Sequence, residues 1–228
     1  GIELTPEGLI RADAGATLRR LAEFARDNGL GGLEFAHGIP GTLGGAVVMN
    51  AGAYGGQLSD GVVAVHAFPG LGGAGRAEEI SSGECGFGYR RSRFAESGEA
   101  IVSACIRLSR GDAGEIAARM EEFAARRRMS QPLDLPSAGS AFKRPQGGYA
   151  AALIEQAGLK GYAVGGARVS AKHAGFIVNA ANATFDDVVR LMEHVRSCVL
   201  ARFGVALEPE VKILRRGADA RARLLEFK

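Results

Sequence analysis

Strand-like and helix-like segments that alternate along the chain predict an α+β or α/β fold in two lobes. Two further observations agree. The 228 residues suffice for one large or two modest domains, and Met129–Gly139 (MSQPLDLPSAG), with its two prolines, offers a boundary between them. Hydrophobic residues at 46% and charged residues at 23% are the balance of an ordinary globular protein, which excludes disorder and collagen. No apolar run reaches the ~18 residues of a membrane span. The stretch Gly1–Ile10 lacks the basic start and apolar core of a signal peptide. A net charge of +3, with 28 basic residues dispersed among 25 acidic ones, argues against a nucleic-acid partner.

The elements follow in order. Ala16–Asn28 reads as an amphipathic helix, with Leu18, Leu21, Phe24 and Ala25 on one face and Gly29 as the stop. Val62–Phe68 has the β-branched content of a strand, and Leu71–Gly75 that of a turn. Ile101–Leu108 reads as a second strand. Glu115–Arg128 reads as a helix whose closing Arg126, Arg127 and Arg128 suit the negative end of a helix dipole. Tyr149–Ala157 looks helical and Phe176–Asn179 strand-like. Over Thr184–Phe203 an N-cap pair, Thr184 with Asp187, precedes an apolar stripe of Val188, Leu191, Val195, Val199 and Phe203. Val205–Leu214 reads as a strand interrupted by Pro209, and the tail Arg215–Lys228 carries no signal.

Three cysteines (Cys85, Cys105, Cys198) show neither an even count nor metal-ligand spacing, and read as reduced thiols of a cytoplasmic protein without a metal site. Glycine is abundant: 34 residues, roughly twice the usual share. Seven of these fall in Gly38–Gly56 (GIPGTLGGAVVMNAGAYGG). Glycines let backbone N–H groups approach a ligand, and a helix opening at Thr42 would supply further donors for a pyrophosphate. Neither the dinucleotide nor the mononucleotide glycine spacing is present, so phosphate cradle and tight structural turns both stand. In GYRRSRF (Gly88–Phe94), Arg90 offers a planar fork for a carboxylate or phosphate. PSAGSAFKRP (Pro136–Pro145) holds serines and cations between prolines, and Ser140 lies outside the hydrolase elbow G-x-S-x-G. In LEPEV (Leu207–Val211), Glu208 and Glu210 have the spacing that puts both on one side of an extended strand.

These blocks, with LIEQAGLKGYAVGGARVSAKHAGFIVN between the last two, closely resemble the UDP-N-acetylenolpyruvoylglucosamine reductase (UDP-N-acetylmuramate dehydrogenase) family. All are in family order between about Ala14 and Leu214. The resemblance implies an α+β fold: part of a two-lobed FAD-binding domain of the vanillyl-alcohol-oxidase type over 1–110, then a smaller α+β substrate-binding domain over 111–228. It implies an FAD-dependent oxidoreductase of peptidoglycan precursor synthesis, with NADPH as co-substrate and UDP-N-acetylglucosamine enolpyruvate reduced to UDP-N-acetylmuramate. By that resemblance Ser140 is the proton donor, while Arg90 and Glu210 stabilise the enol-type intermediate. FAD would be held by Gly38, Ile39, Pro40, Gly41, Thr42, Gly44, Gly45, Asn50, Ala51, Gly52, Ala53 and Ile101. Tyr54, Tyr89, Lys143, Arg144 and His173 are candidates to grip the substrate.

Only 49 residues separate Arg90 from Ser140, too few for the extra substrate-covering loop of one subgroup, so the chain resembles the other. The family normally begins with a segment carrying a G-G-G-S-N-type pyrophosphate loop, whereas this chain starts at Gly1 without an initiator Met. The expectation is that the first FAD lobe is missing, that FAD then binds poorly, and that an apolar surface is left exposed. Another flavin oxidase of the same superfamily and a catalytically silent UDP-sugar-binding remnant are the competing readings.

Overall fold

The computed structural model describes residues 1–70, 76–216 and 222–224, and the chain forms two compact units, Gly1–Arg127 and Arg128–Lys228. The turn expected over Leu71–Gly75 lies outside the described residues, as does most of the tail.

In the first unit, β1 (Ile2–Leu4) and β2 (Ile10–Asp13) form a hairpin ahead of α1 (Leu18–Asp27) and α2 (Leu43–Met49). They are followed by β3 (Val62–Phe68), β4 (Glu78–Ser81), β5 (Ala100–Ile106) and α3 (Ala113–Ser130). The five strands make one antiparallel sheet in the order β1-β2-β5-β3-β4. Alternation decides which face is covered: Ile10 and Ala12 of β2, with Ala104 and Ile106 of β5, are buried in one core with Leu18 and Leu21 of α1 and Leu43 and Val47 of α2. Thr17 caps α1 by accepting from the Arg20 N–H at 3.3 Å, and Gly29 leaves the helix at φ +63°.

Helix α3 corrects the division at residues 110 and 111. Its Ile116 and Met120 are buried in the first core, so this unit runs to Arg127 and ends beside the proline-bearing segment. A helix is grouped by the face it buries, and dipole-compatible arginines at its end carry no such information.

The second unit comprises β6 (Ser137–Ser140), α4 (Ala150–Gln156), β7 (Ala163–Val164), β8 (Ala167–Val169), β9 (Phe176–Asn179) and α5 (Phe185–Phe203). Its sheet runs β6-β9-β8-β7, all antiparallel. Leu191, Met192, Val195 and Val199 of α5 share a core with Ile154 of α4 and Ala167 and Val169 of β8. Of the expected stripe, Val188 and Phe203 are only half-buried, and Met192 takes a central place. The strand expected over Val205–Leu214 does not form. A single bridge joins Phe142 to Pro209, and regular pairing begins only at Leu214.

The start of α5 is a reciprocal cap. The Asp187 N–H donates to Thr184 Oγ1 at 3.1 Å, and the Thr184 N–H donates to Asp187 Oδ2 at 3.0 Å. Gly166 N–H and the Arg190 guanidinium also donate to this carboxylate, at 3.3 and 2.9 Å. The backbone and hydroxyl donors of Thr184 are the main reason its pKa falls from 3.8 to about 2. Because the folded-state value is the lower one, the carboxylate's contribution is complete above about pH 4 and is lost as pH falls toward 2. In urea unfolding, wild type should therefore exceed Asp187→Asn at neutral pH, and the gap should close across that window. Thr184→Ala should cost about 1 kcal/mol in the same measurement.

Candidate active site

The glycine-dense stretch divides by what surrounds each glycine. Gly44 lets α2 press onto the segment before α1, where a Cβ would stand 3.0 Å from that of Ala14. Gly52 and Gly56 let a two-residue hairpin close, since a Cβ on Gly52 would lie 2.7 Å from the Gly56 carbonyl and one on Gly56 2.5 Å from the Phe35 ring. By contrast, Gly41 (φ +149°) and Gly55 (φ +88°) have nothing within 4 Å of the Cβ position, and Gly45 meets only Thr42 Oγ1 at 3.9 Å.

The free donors expected where α2 begins are partly spent. Leu43 N–H donates to the Ala16 carbonyl at 2.8 Å and Gly44 N–H to the Ala14 carbonyl at 2.9 Å. The stretch is thus both a set of tight turns and a bare-backbone surface. The open sides of Gly41 and Gly45 are a cradle that side chains would fill, and this fits a large planar or phosphate-bearing group such as FAD. Ile39, Ala51 and Ile101 pack half-buried against the core of this unit.

Asn50 terminates α2 in the left-handed conformation (φ 42°) and is 1% exposed. Its carboxamide faces inward. Oδ1 accepts from Ser59 N–H at 2.9 Å, while Nδ2 donates to Gly88 O at 3.0 Å and to Gln57 Oε1 at 3.3 Å. Gly88 opens the turn that carries Arg90, closed by Gly88 N–H to Arg91 O (3.0 Å) and Arg91 N–H to Gly88 O (3.2 Å). Arg90 sits at the second turn position with φ 52°, a conformation uncommon outside glycine and asparagine. Its Nη2 donates to Gly52 O at 2.8 Å, and its guanidinium lies 5.1 Å from the Tyr89 ring centroid. The Ser92 hydroxyl ties the far side of the turn to Val48 O at 2.8 Å.

In the second unit, Ser140 ends β6 next to Gly139, whose φ is +83°. Ser137 pairs with Val178 but Ser140 with Phe176, so one extra residue is accommodated between them. Such a bulge re-aims the side chains that follow it. Ala141 N–H then donates to Gly175 O at 2.8 Å, and Glu210 N–H donates to Ala141 O at 2.9 Å. Lys143 N–H to Glu208 O (2.8 Å) completes the pair of bonds that flank the Phe142–Pro209 bridge. Ser140 and Glu210 are thereby fixed in neighbouring backbone, 70 positions apart in sequence.

Glu208 forms an ion pair with Lys143 Nζ, and both line a cleft of about 420 Å³ with Arg144, Gln146 and Val205. Arg144 stacks on Tyr149, 4.0 Å from its ring centroid. His173 turns its Nδ1 toward Gly175 N–H at 3.1 Å and packs edge-on to Phe176, and burial lowers its pKa. Among the described residues no cluster of His, Cys, Asp or Glu could hold a metal ion. No described helix is long and apolar enough to cross a membrane.

Arg127, which the sequence groups with the dipole-facing arginines, is only 5% exposed. Its Nη2 donates to Phe35 O at 2.8 Å, and its guanidinium lies 4.9 Å from the Tyr54 ring centroid, a ring itself stacked on Phe123 at 4.7 Å. The spacing 116, 120, 123, 127 on one helix was the available signal for an inward position.

Residues 1–73 match the model of an FAD binding domain, and with the bare-backbone cradle this defines the class: an FAD-dependent oxidoreductase. Residues 131–214 match the C-terminal domain of UDP-N-acetylenolpyruvoylglucosamine reductase. The reductase of that name from Caldanaerobacter subterraneus subsp. tengcongensis is 52% identical over 205 residues, covering 90% of this chain and 67% of its own. The one from Thermotoga petrophila is 48% identical over 213 residues, covering 93% and 73%. The crystal structure of the Thermus caldophilus enzyme superposes with a TM-score of 0.78 at 38% identity, over 88% of this chain and 70% of that one. The chain belongs to the UDP-N-acetylenolpyruvoylglucosamine reductase family. The expectation of a missing FAD lobe is not confirmed, since an FAD-binding domain is matched from the first residue.

Asn50→Ala would leave Ser59 N–H and Gly88 O unpaired and place alanine in a left-handed conformation. It should cost about 1–3 kcal/mol in denaturant unfolding. Asn50→Gly, which restores the backbone freedom alone, should recover only part of that loss.

Proposed function

We propose that this chain catalyses the NADPH-dependent reduction of UDP-N-acetylglucosamine enolpyruvate to UDP-N-acetylmuramate, a step of peptidoglycan precursor synthesis. The observation that carries the reading is the Glu210-to-Ala141 backbone bond, which seats a carboxylate-bearing residue beside the backbone of Ser140 in a chain of this family. FAD, when bound, supplies the two-electron hydride chemistry and is refilled from NADPH. Gly41, Gly45 and their flanking backbone would hold it, together with Ile39, Ala51 and Ile101, which are half-buried against the same core.

The substrate's C3 receives hydride and its C2 receives a proton. Between these events negative charge gathers on C2 and the attached carboxylate. Arg90 contributes a fixed guanidinium to that charge, which stabilises the transition state more than the ground state. Its constrained backbone and its bond to Gly52 O restrict the fork to one direction before substrate arrives. Ser140 gives its hydroxyl proton to C2. A serine can act as the acid because the carbanion-like centre is strongly basic and adjacent, and the hydroxyl recovers its proton from solvent. Glu210 is the second group that shares this charge. Lys143, Arg144, Tyr54, Tyr89 and His173 serve substrate binding, with Lys143 exchanging its pairing to Glu208 for contact with an anionic group.

Substrate-dependent NADPH oxidation by the FAD-loaded chain tests the reading, and its absence overturns it. Ser140→Ala should leave flavin reduction by NADPH intact while slowing reoxidation by substrate about 100-fold or more, read by stopped-flow flavin absorbance. Equal loss in both halves would reject serine as the donor. Arg90→Lys should slow the same reoxidation roughly tenfold or more, because a point charge does not replace the planar fork.

A further inference from the structure

We infer that His173 is a positioning residue for the proposed reduction: its unprotonated Nδ1 anchors the backbone that seats Ser140 beside Glu210. The inference rests on the reading of Ser140 and Glu210 above, and it gives His173 a task separate from substrate contact. Three hydrogen bonds run in series. Gly175 N–H donates to His173 Nδ1 at 3.1 Å, Ala141 N–H donates to Gly175 O at 2.8 Å, and Glu210 N–H donates to Ala141 O at 2.9 Å. Regular pairing of β6 with β9 ends at Ser140 and Phe176, beyond the bulge, and the Ala141–Gly175 bond carries the contact one residue further. The segments bearing Ser140 and Glu210 are thus tied, through Gly175, to one imidazole nitrogen.

The ring is held for this task. A Cβ on Gly175 would stand 3.0 Å from His173 Cε1 and 3.3 Å from the Ala151 Cβ, so the missing side chain is what lets the ring lie on that backbone. Phe176 packs edge-on to it with centroids 4.9 Å apart. Ser170, 4% exposed, fixes the turn that carries the ring: its Oγ accepts from Lys172 N–H at 3.1 Å and from His173 N–H at 3.2 Å. A ring nitrogen that accepts carries no proton, so the neutral imidazole keeps its proton on Nε2. Protonation of Nδ1 would set one N–H against another. Burial is the main reason its pKa lies below 6.5. The Lys160 ammonium adds to the shift, while a backbone hydrogen bond and the Glu155 carboxylate, paired with Lys160 at 2.7 Å, oppose it. At neutral pH the acceptor is therefore intact.

Two substitutions separate the ring nitrogens, because asparagine can present an acceptor where Nδ1 lies and glutamine a polar group where Nε2 lies. In the FAD-loaded full chain at saturating substrate, His173→Gln should slow reoxidation of the reduced flavin about tenfold or more, and His173→Asn by about threefold or less. Loss of an Nε2 contact to substrate would raise KM in the asparagine variant without changing that order of rates. The reverse order, or equal rates in the two variants, overturns the inference and leaves His173 a substrate contact or a packing residue. Hydrogen exchange at the Ala141 and Glu210 amides reads the linkage without turnover. Their protection should match wild type in His173→Asn and fall about tenfold or more in His173→Gln. Should the glutamine variant fail to fold, protection of these amides in wild type should drop on acidification below about pH 6.5 and hold steady in His173→Asn; identical pH profiles overturn the inference. Altered exchange with no turnover by wild type rejects the proposed reaction but keeps the linkage. Normal turnover with equal exchange in both variants overturns this inference alone.

Discussion

Backbone pressed against backbone, without an intervening Cβ, is the constraint on which both units depend. In the first, Gly44 lies on Ala14 and Gly52 on the Gly56 carbonyl. In the second, Gly166 lies on the Ala181 carbonyl, and Gly165 admits the Asp187 carboxylate that caps α5. Any larger residue at these points would push apart segments whose hydrogen bonds are otherwise complete, and a buried backbone group that loses its partner pays the full desolvation penalty. A glycine content twice the usual is therefore mostly structural, and only the glycines facing open space remain for a ligand.

Each unit uses a long-range bond to hold a candidate site residue in place. The Asn50 carboxamide reaches 38 positions along the chain to the turn bearing Arg90. The Glu210 N–H reaches back to the carbonyl next to Ser140. Arg90 lies outside the regular elements and Ser140 at the bulged end of β6, so local hydrogen bonds, the left-handed φ of Arg90 and the bulge set their directions. This is also why Asn50, grouped with the cofactor-contacting residues on sequence grounds, spends its carboxamide entirely within the protein.

What was legible in the sequence had a period or a cap. Val62–Phe68 and Phe176–Asn179 match their strands residue for residue, and the Thr184–Asp187 pair marks the start of α5. What was not legible depended on partners distant in sequence. The hairpin of β1 and β2 is recognisable mainly from its pairing with β5, and Val205–Leu214 does not form a strand because only Pro209 is bridged before Leu214. For the candidate site, motif order identified Ser140, Arg90 and Glu210 as residues of interest. The bulge at Gly139, the inward turn of Arg127 and the pairing of Glu208 with Lys143 depend on tertiary contacts that no local pattern encodes.

Pro209 shows what a single imino acid does for a lone bridge. The bonds flanking Phe142 and Pro209 leave that pair in the register where neither residue donates to the other, so the missing N–H costs the pairing nothing. An ordinary residue there would aim its amide away from the 141–143 segment, as an invitation to a passing strand. Proline withdraws that invitation, and Arg196 occupies the carbonyl of Leu207 on the same side at 3.0 Å. The segment that delivers Glu210 is thus shielded from edge-to-edge self-association, a safeguard against aggregation lodged inside the LEPEV motif itself.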